Sequence, residues 1–149
     1  MVHGSCRHNV CLLVCLMSES AKALNMSLWA AAILAAGIFI IAGGAKLAGA
    51  MIEHFEAWGY APEFGLAIGF AEIAGALGLV IPRTSGWAAL GLIVIMFGAL
   101  GTHFVEADYA AAMVPMVMLA LLSFVLFGRG LGPRGRSFAD LRLPAIPGF

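Results

Sequence analysis

Four long apolar stretches, set apart by short polar breaks, organise this chain. The first begins near Leu28 and reaches Leu47, or continues to Ile52 because residues 48–52 stay apolar. The second is Phe64–Ile81, the third runs from Gly86 to about Phe104, and the fourth is Tyr109–Phe127. A helix crossing the hydrocarbon of a bilayer needs about 17–25 residues, and each stretch has that length. None alternates polar and apolar positions as a barrel strand does, and backbone groups in lipid must be satisfied internally, so the expectation is helices. The breaks agree. Pro62 precedes the second stretch, residues 81–86 form a polar turn into the third, His103–Asp108 joins the third to the fourth, and residues 128–133 end the fourth with Gly and Pro. The fold class expected is all-α, an integral membrane four-helix bundle.

Composition narrows the class. Of 149 residues, 62% are hydrophobic and 11% charged, and mean hydropathy is +1.01. Soluble domains are about 25% charged, and a chain this short has too little interior to hide so much apolar surface from water. Net charge is zero and no basic patch interleaves with aromatics, so the partner expected is the lipid bilayer and not nucleic acid. The charges are unevenly placed. Arg7, Lys22, Arg83, Arg129, Arg134, Arg136 and Arg142 fall on one side of the four spans; Lys46 is alone on the other, with Glu53, Glu56, Glu63, Glu106 and Asp108. The positive-inside rule then puts both termini in the cytoplasm. Trp29, Trp58, Tyr60, Trp87 and Tyr109 fall at span edges, where amphipathic rings favour the headgroup level.

The expected domains are an N-terminal extension over residues 1–25, the four-helix unit over 26–128 and an Arg/Gly/Pro-rich cytoplasmic tail over 129–149. Val10–Met17 is too short to span. A signal-like reading, with residues 21–23 as a small-residue cleavage site, would put Arg83 and the basic tail outside, against the charge rule. The reading preferred for 1–25 is a poorly ordered cytoplasmic extension; Met26, directly before the first span, also permits a misassigned start. Cys6, Cys11 and Cys15 all lie in this extension, with no C-x-x-C and no Cys/His metal pattern, so neither a disulfide framework, a zinc site nor dithiol redox chemistry is expected.

The chemistry concentrates on three residues. Every other member of the 64–81 run is apolar or glycine, yet Glu72 stands at its middle. An ionisable group there costs about 2.5–3.5 kcal/mol to insert, a cost to be offset by a partner, by protonation or by a use. Gly65, Gly69, Glu72 and Ala76 share one helical stripe, and small residues let a neighbouring helix come close, so the carboxyl is expected to face protein. Lys46 is the natural partner. With a first helix running to Ile52, its Cα would lie about 9 Å inside the outer end and that of Glu72 about 12 Å inside. Against pairing stands snorkelling of Lys46 to the headgroups. His103 closes the third span on the same side and could relay a proton; its plainer reading is a helix-end residue at the interface.

Other features are softer. Met51, Phe55 and Trp58 share one face of a short amphipathic segment that also carries Glu53, His54 and Glu56; it reads as a surface anchor, or as a lid over a site between the spans. Pro115 withholds a backbone donor from the Ala111 carbonyl. Met113, Met116 and Met118 could line a pocket or simply pack. Gly91, Gly98 and Gly101 read as close-packing positions in the third span.

Several segments in order resemble the DoxX-like family of small bacterial membrane proteins. They are residues 42–47 (AGGAKL) closing span one, 54–60 (HFEAWGY) with Pro62, 69–79 (GFAEIAGALGL) in span two, then Pro82, 87–92 (WAALGL) and 98–103 (GALGTH). The likeness covers roughly residues 26–128. It implies a four-helix membrane bundle in a bacterial plasma membrane. More loosely it implies a link to respiratory redox complexes, since the family is named for a subunit of a quinone-linked sulfur-oxidising system. It supplies no catalytic residues, and fold analogy supplies no reaction. The expected function is a quinone-facing or non-catalytic subunit of a membrane redox assembly; the sequence identifies neither the partner subunits nor a cofactor, for which a quinone is the candidate. In that subunit Glu72 exchanges a proton, Lys46 tunes its charge and His103 connects it to the outer surface. A small proton-coupled transporter using Glu72 and a structural scaffold are the alternatives. No substrate, reaction or oligomeric state follows from the sequence.

Overall fold

The structure is a computed structural model and describes residues 5–130. Five helices follow one another: α1 (Ser5–Leu47), α2 (Ile52–Ala57), α3 (Pro62–Val80), α4 (Ser85–Val105) and α5 (Tyr109–Arg129). Four of them are long and apolar enough to cross a membrane, and α2 is a six-residue turn of helix between the first two spans. The protein is an all-helical membrane protein, and its lipid-facing surface is correspondingly apolar: Ile41, Phe70, Trp87, Val94, Met113 and Phe127 are exposed.

Element limits differ from the expected ones in informative ways. From residue 5 to 36 the chain contains neither Gly nor Pro, and α1 runs unbroken through the segment expected to be poorly ordered. A Glu19–Lys22 ion pair of 3.0 Å, one turn apart, adds local support just before the span. Residues 1–4 and 131–149, which include the expected basic tail, lie outside the described residues. At its other end α1 stops at Leu47 and does not reach Ile52. Gly49 takes φ +81°, Ala50 N–H donates to the Ala45 carbonyl and Gly49 N–H to that of Lys46. These are the paired bonds of a Schellman cap. The same device ends α2, with Gly59 at φ +78° and Tyr60 N–H donating to Phe55. It ends α4 as well, where Ala107 accepts the left-handed position and Asp108 N–H donates to His103. Asp108 then caps α5, accepting from Ala111 N–H at 3.2 Å. Helix α5 continues through Arg129, two residues past the expected Phe127, and Gly130 at φ +66° follows it.

The helices pack as two pairs. In the first pair α1 and α3 meet backbone to backbone. A Cβ on Gly43 would lie 2.7 Å from the Gly69 carbonyl oxygen, and one on Gly69 would lie 2.9 Å from that of Gly43. The expected stripe on α3 is thus this contact face: Gly65, Gly69, Glu72 and Ala76 are all buried. Helices α4 and α5, joined by three residues, form the second pair. The pairs close on each other at the end away from α2. There Gly75 and Gly78 of α3 receive Leu92 and Ala88 of α4, and Gly128 of α5 receives Leu28 of α1. Phe39, Ala76, Leu79, Leu92, Leu122 and Val125 fill the core between them. Leu28 and Trp29 therefore lie beside Gly128 and Arg129, with the Arg129 guanidinium 4.2 Å above the Trp29 ring, so the first and last spans start and finish on one membrane face.

The glycines of α4 behave differently from expectation. A Cβ on Gly91, Gly98 or Gly101 would meet nothing within 4 Å, because all three lie on exposed faces of the helix. The close-packing positions are on α1, α3 and α5 instead. Gly43→Leu should therefore cost about 1–3 kcal/mol through overpacking and lower the thermal unfolding midpoint in detergent, whereas Gly91→Leu should leave it within experimental scatter.

Candidate functional site

Glu72 stands ten residues into α3, about 15 Å along the helix from Pro62, and is 2% exposed. The end of α1 at Leu47 puts Lys46 in the last helical turn, not deep inside a longer helix. The pair forms nonetheless. Side chains on a helix lean toward its N-terminus, so Lys46 points back into the bundle. Its Nζ donates to both carboxylate oxygens of Glu72, at 3.0 and 2.8 Å. Lys46 does not snorkel: its side chain is 14% exposed and that of Glu72 3%. In so dry a setting each charge has lost its water, and the pair stands because each supplies what the other lacks. Contact of Gly43 with Gly69, one turn away on each helix, sets the separation at which lysine reaches glutamate.

The pair forms part of the wall of a 540 Å³ cavity between the two helix pairs, within the range of small-molecule sites. Helix α1 contributes Ile38, Phe39 and Ala42; α3 contributes Phe64 and Ile68; α4 contributes Ile95, Met96, Ala99, Thr102 and His103; α5 contributes Ala111, Val114, Pro115 and Met118. The α2 segment covers it with Met51, Phe55 and Trp58, the face expected from their spacing. Phe55 is buried, with Trp58 and Tyr60 edge-on to it at centroid distances of 5.8 and 6.2 Å. Tyr60 stacks on Phe64 at 5.1 Å and its hydroxyl lies 3.3 Å from that of Thr102. Because Thr102 Oγ1 donates to the Gly98 carbonyl at 3.2 Å, Tyr60 is the donor to Thr102.

His103 shares this cavity with Lys46 and Glu72 but bonds to neither. Its ring stands edge-to-face with Trp58 at 5.7 Å, and its Nδ1 is buried without a hydrogen-bond partner. Buried polar atoms are seldom left unpaired, and this one belongs to a residue that lines the cavity. Pro115 and Ala111 both line the cavity, so the carbonyl that lacks its helical donor belongs to a cavity residue. Met118 is buried at the wall, while Met113 and Met116 face outward. His54 is exposed, touches Trp58 edge-on at 6.2 Å and lies off the cavity. Reading the sequence missed Thr102 and Tyr60, whose hydroxyls meet only through the fold, and the contributions of Ile38, Phe39 and Ala42. It also missed the cation–π contact at the opposite end, where Arg129 is buried over Trp29.

These features define a small helical membrane protein with an internal ion pair bordering an apolar cavity. The sequence profile of the DoxX-like family matches residues 28–125, and the chain belongs to the DoxX-like family. No curated protein and no solved structure matches the chain.

Removing one partner of the pair leaves a buried charge uncompensated. Lys46→Met should cost about 3–5 kcal/mol, and adding Glu72→Leu to it should recover most of the loss. Thermal denaturation of the three proteins in detergent checks both statements; a Lys46→Met protein as stable as wild type would contradict a buried pair.

Proposed function

We propose that this protein binds a quinone in the cavity, as a subunit of a redox assembly in a bacterial plasma membrane with both termini cytoplasmic. One observation carries the reading: polar groups stand on opposite walls of one apolar space. Lys46 and Glu72 come from α1 and α3, His103 and Thr102 from α4. A quinone ring is flat and apolar on its faces and has an acceptor oxygen at each end. Lys46 has three N–H donors, and the third can serve one carbonyl while Glu72 holds the ammonium in place. The His103 imidazole, which lines the same cavity, can serve the other through a ring N–H. Phe39, Phe55, Trp58, Met96 and Met118 supply faces for the ring. When bound, the quinone supplies reversible two-electron, two-proton chemistry. Glu72 and His103 are then the groups of this chain able to hold a proton beside it, and the electrons come from a partner subunit. The charge asymmetry of the loops supports the orientation.

A second reading also has an observation behind it. The cavity lies toward the α2 end and reaches Glu72, while Leu79, Leu92, Leu122 and Val125 shut the opposite end. One-sided access to a membrane carboxylate suits a small proton-coupled transporter. Titration of the purified protein with a quinone analogue separates the two. Under the quinone reading wild type binds, and Glu72→Gln weakens binding by about tenfold, the equivalent of 1.4 kcal/mol. Binding unchanged by Glu72→Gln removes the role given to that residue. Absence of binding, together with substrate-driven proton uptake into vesicles that Glu72→Gln abolishes, moves the assignment to transport.

A further inference from the structure

The two helix pairs meet at one end and part toward the other, so the seams between them change character along their length. On the α3–α4 seam the closed part is plain. Leu92 packs where a side chain on Gly75 would sit, and Ala88 does the same at Gly78. Toward α2 the same seam is bordered by Phe64 and Ile68 on α3 and by Val94 and Gly98 on α4, all of them cavity-lining. Phe64 is 45% exposed and Val94 65%, so the wall of the cavity is here also the lipid-facing surface. At its far edge the seam is bridged again by the Tyr60–Thr102 hydrogen bond. The opening is therefore framed on both sides, by Leu92 toward the closed end and by Thr102 toward the surface. They are ten residues apart on α4, about 15 Å along the axis. Between them stands Gly98, where a Cβ would touch nothing.

We infer that this is a window through which the cavity opens sideways into the acyl-chain region. The molecule it admits is an amphiphile dissolved in the bilayer, its ring lodged beside Lys46 and its hydrocarbon chain lying out through the α3–α4 seam past Gly98. This rests on the quinone reading above and adds the class of quinone: long-chained and membrane-borne, not a water-soluble ring. Three features point the same way. The cavity wall is continuous with lipid at this seam. The buried Lys46–Glu72 pair lies on the inner side of it. A bare glycine occupies the position where any side chain would narrow the passage. The α1–α5 seam also carries cavity residues at the surface, Ile38 and Val114, but there no cavity-lining position on either helix is a glycine. The chain is accordingly assigned to the α3–α4 side.

The test uses the full-length protein in phosphatidylcholine nanodiscs and two probes, a tailless dimethoxy-methyl-benzoquinone and its decyl-bearing homologue, with binding followed by tryptophan fluorescence. Gly98→Leu should lower the ratio of decyl to tailless affinity by about tenfold or more. Gly101→Leu, which adds the same side chain to the same helix off the cavity, should keep the wild-type ratio. A diazirine placed on the decyl chain gives a second measurement on the unmodified protein: photolabelling is expected at Phe64 and Val94. An unchanged ratio in Gly98→Leu, or labelling at Ile38 and Val114 instead, overturns the window and leaves the quinone reading standing. Failure of wild type to bind either probe removes the quinone reading and the window with it.

Discussion

Because neither Gly43 nor Gly69 carries a side chain, α1 and α3 touch along their backbones, and the Lys46 ammonium is delivered onto both oxygens of Glu72. The polar interior of the bundle depends on that approach. With the helices a side chain farther apart, a lysine in the last turn of α1 would find the headgroups nearer than the carboxylate. Glu72 would then stand charged and alone inside an apolar bundle. A pair of glycines that carries no chemistry thus determines whether an ionised site can exist.

The pair also explains the shape of the space around it. Aliphatic side chains seal the end of the bundle away from α2, and there glycines on α3 and α5 take in Leu92, Ala88 and Leu28. Around Lys46 and Glu72 the two helix pairs are farther apart, and aromatic rings from the α2 segment close the gap between them from above. Small residues join the two helix pairs at one end; large, flat ones cover the gap between the pairs at the other. The α2 cover is short and lies between two left-handed glycines, Gly49 and Gly59, so its position is set by caps and by ring contacts more than by helix packing.

Much of this was legible in the sequence. The four spans follow from the length of the apolar runs; the inward stripe of α3 and the face shared by Met51, Phe55 and Trp58 follow from helical periodicity, which constrains a helix face strongly. Pairing of Lys46 with Glu72 was expected, but through a first helix running to Ile52. An apolar run says nothing of a left-handed turn inside it, and Gly49 makes one. The glycines of α4 were misread because a glycine pressed against a neighbour and one turned to lipid look alike in composition; Gly98 belongs to the second kind. The cavity itself could not be read, since it is a difference in the separation of four helices and no single segment encodes it. Arg129 looked like the start of a basic tail, and only the return of α5 beside the start of the first span brings it over Trp29.

With an even number of crossings and the first and last spans side by side, the protein is lopsided in what it shows to its two compartments. The helical arm before Leu28 and the end of α5 at Arg129 lie together on one face. The opposite compartment meets only the short α2 connector and the three residues 106–108. A large aqueous protein docking on that second side would find only the seventeen residues 48–61 and 106–108 to grip, so lasting attachment from there has to be made through the spans themselves or through the surrounding lipid.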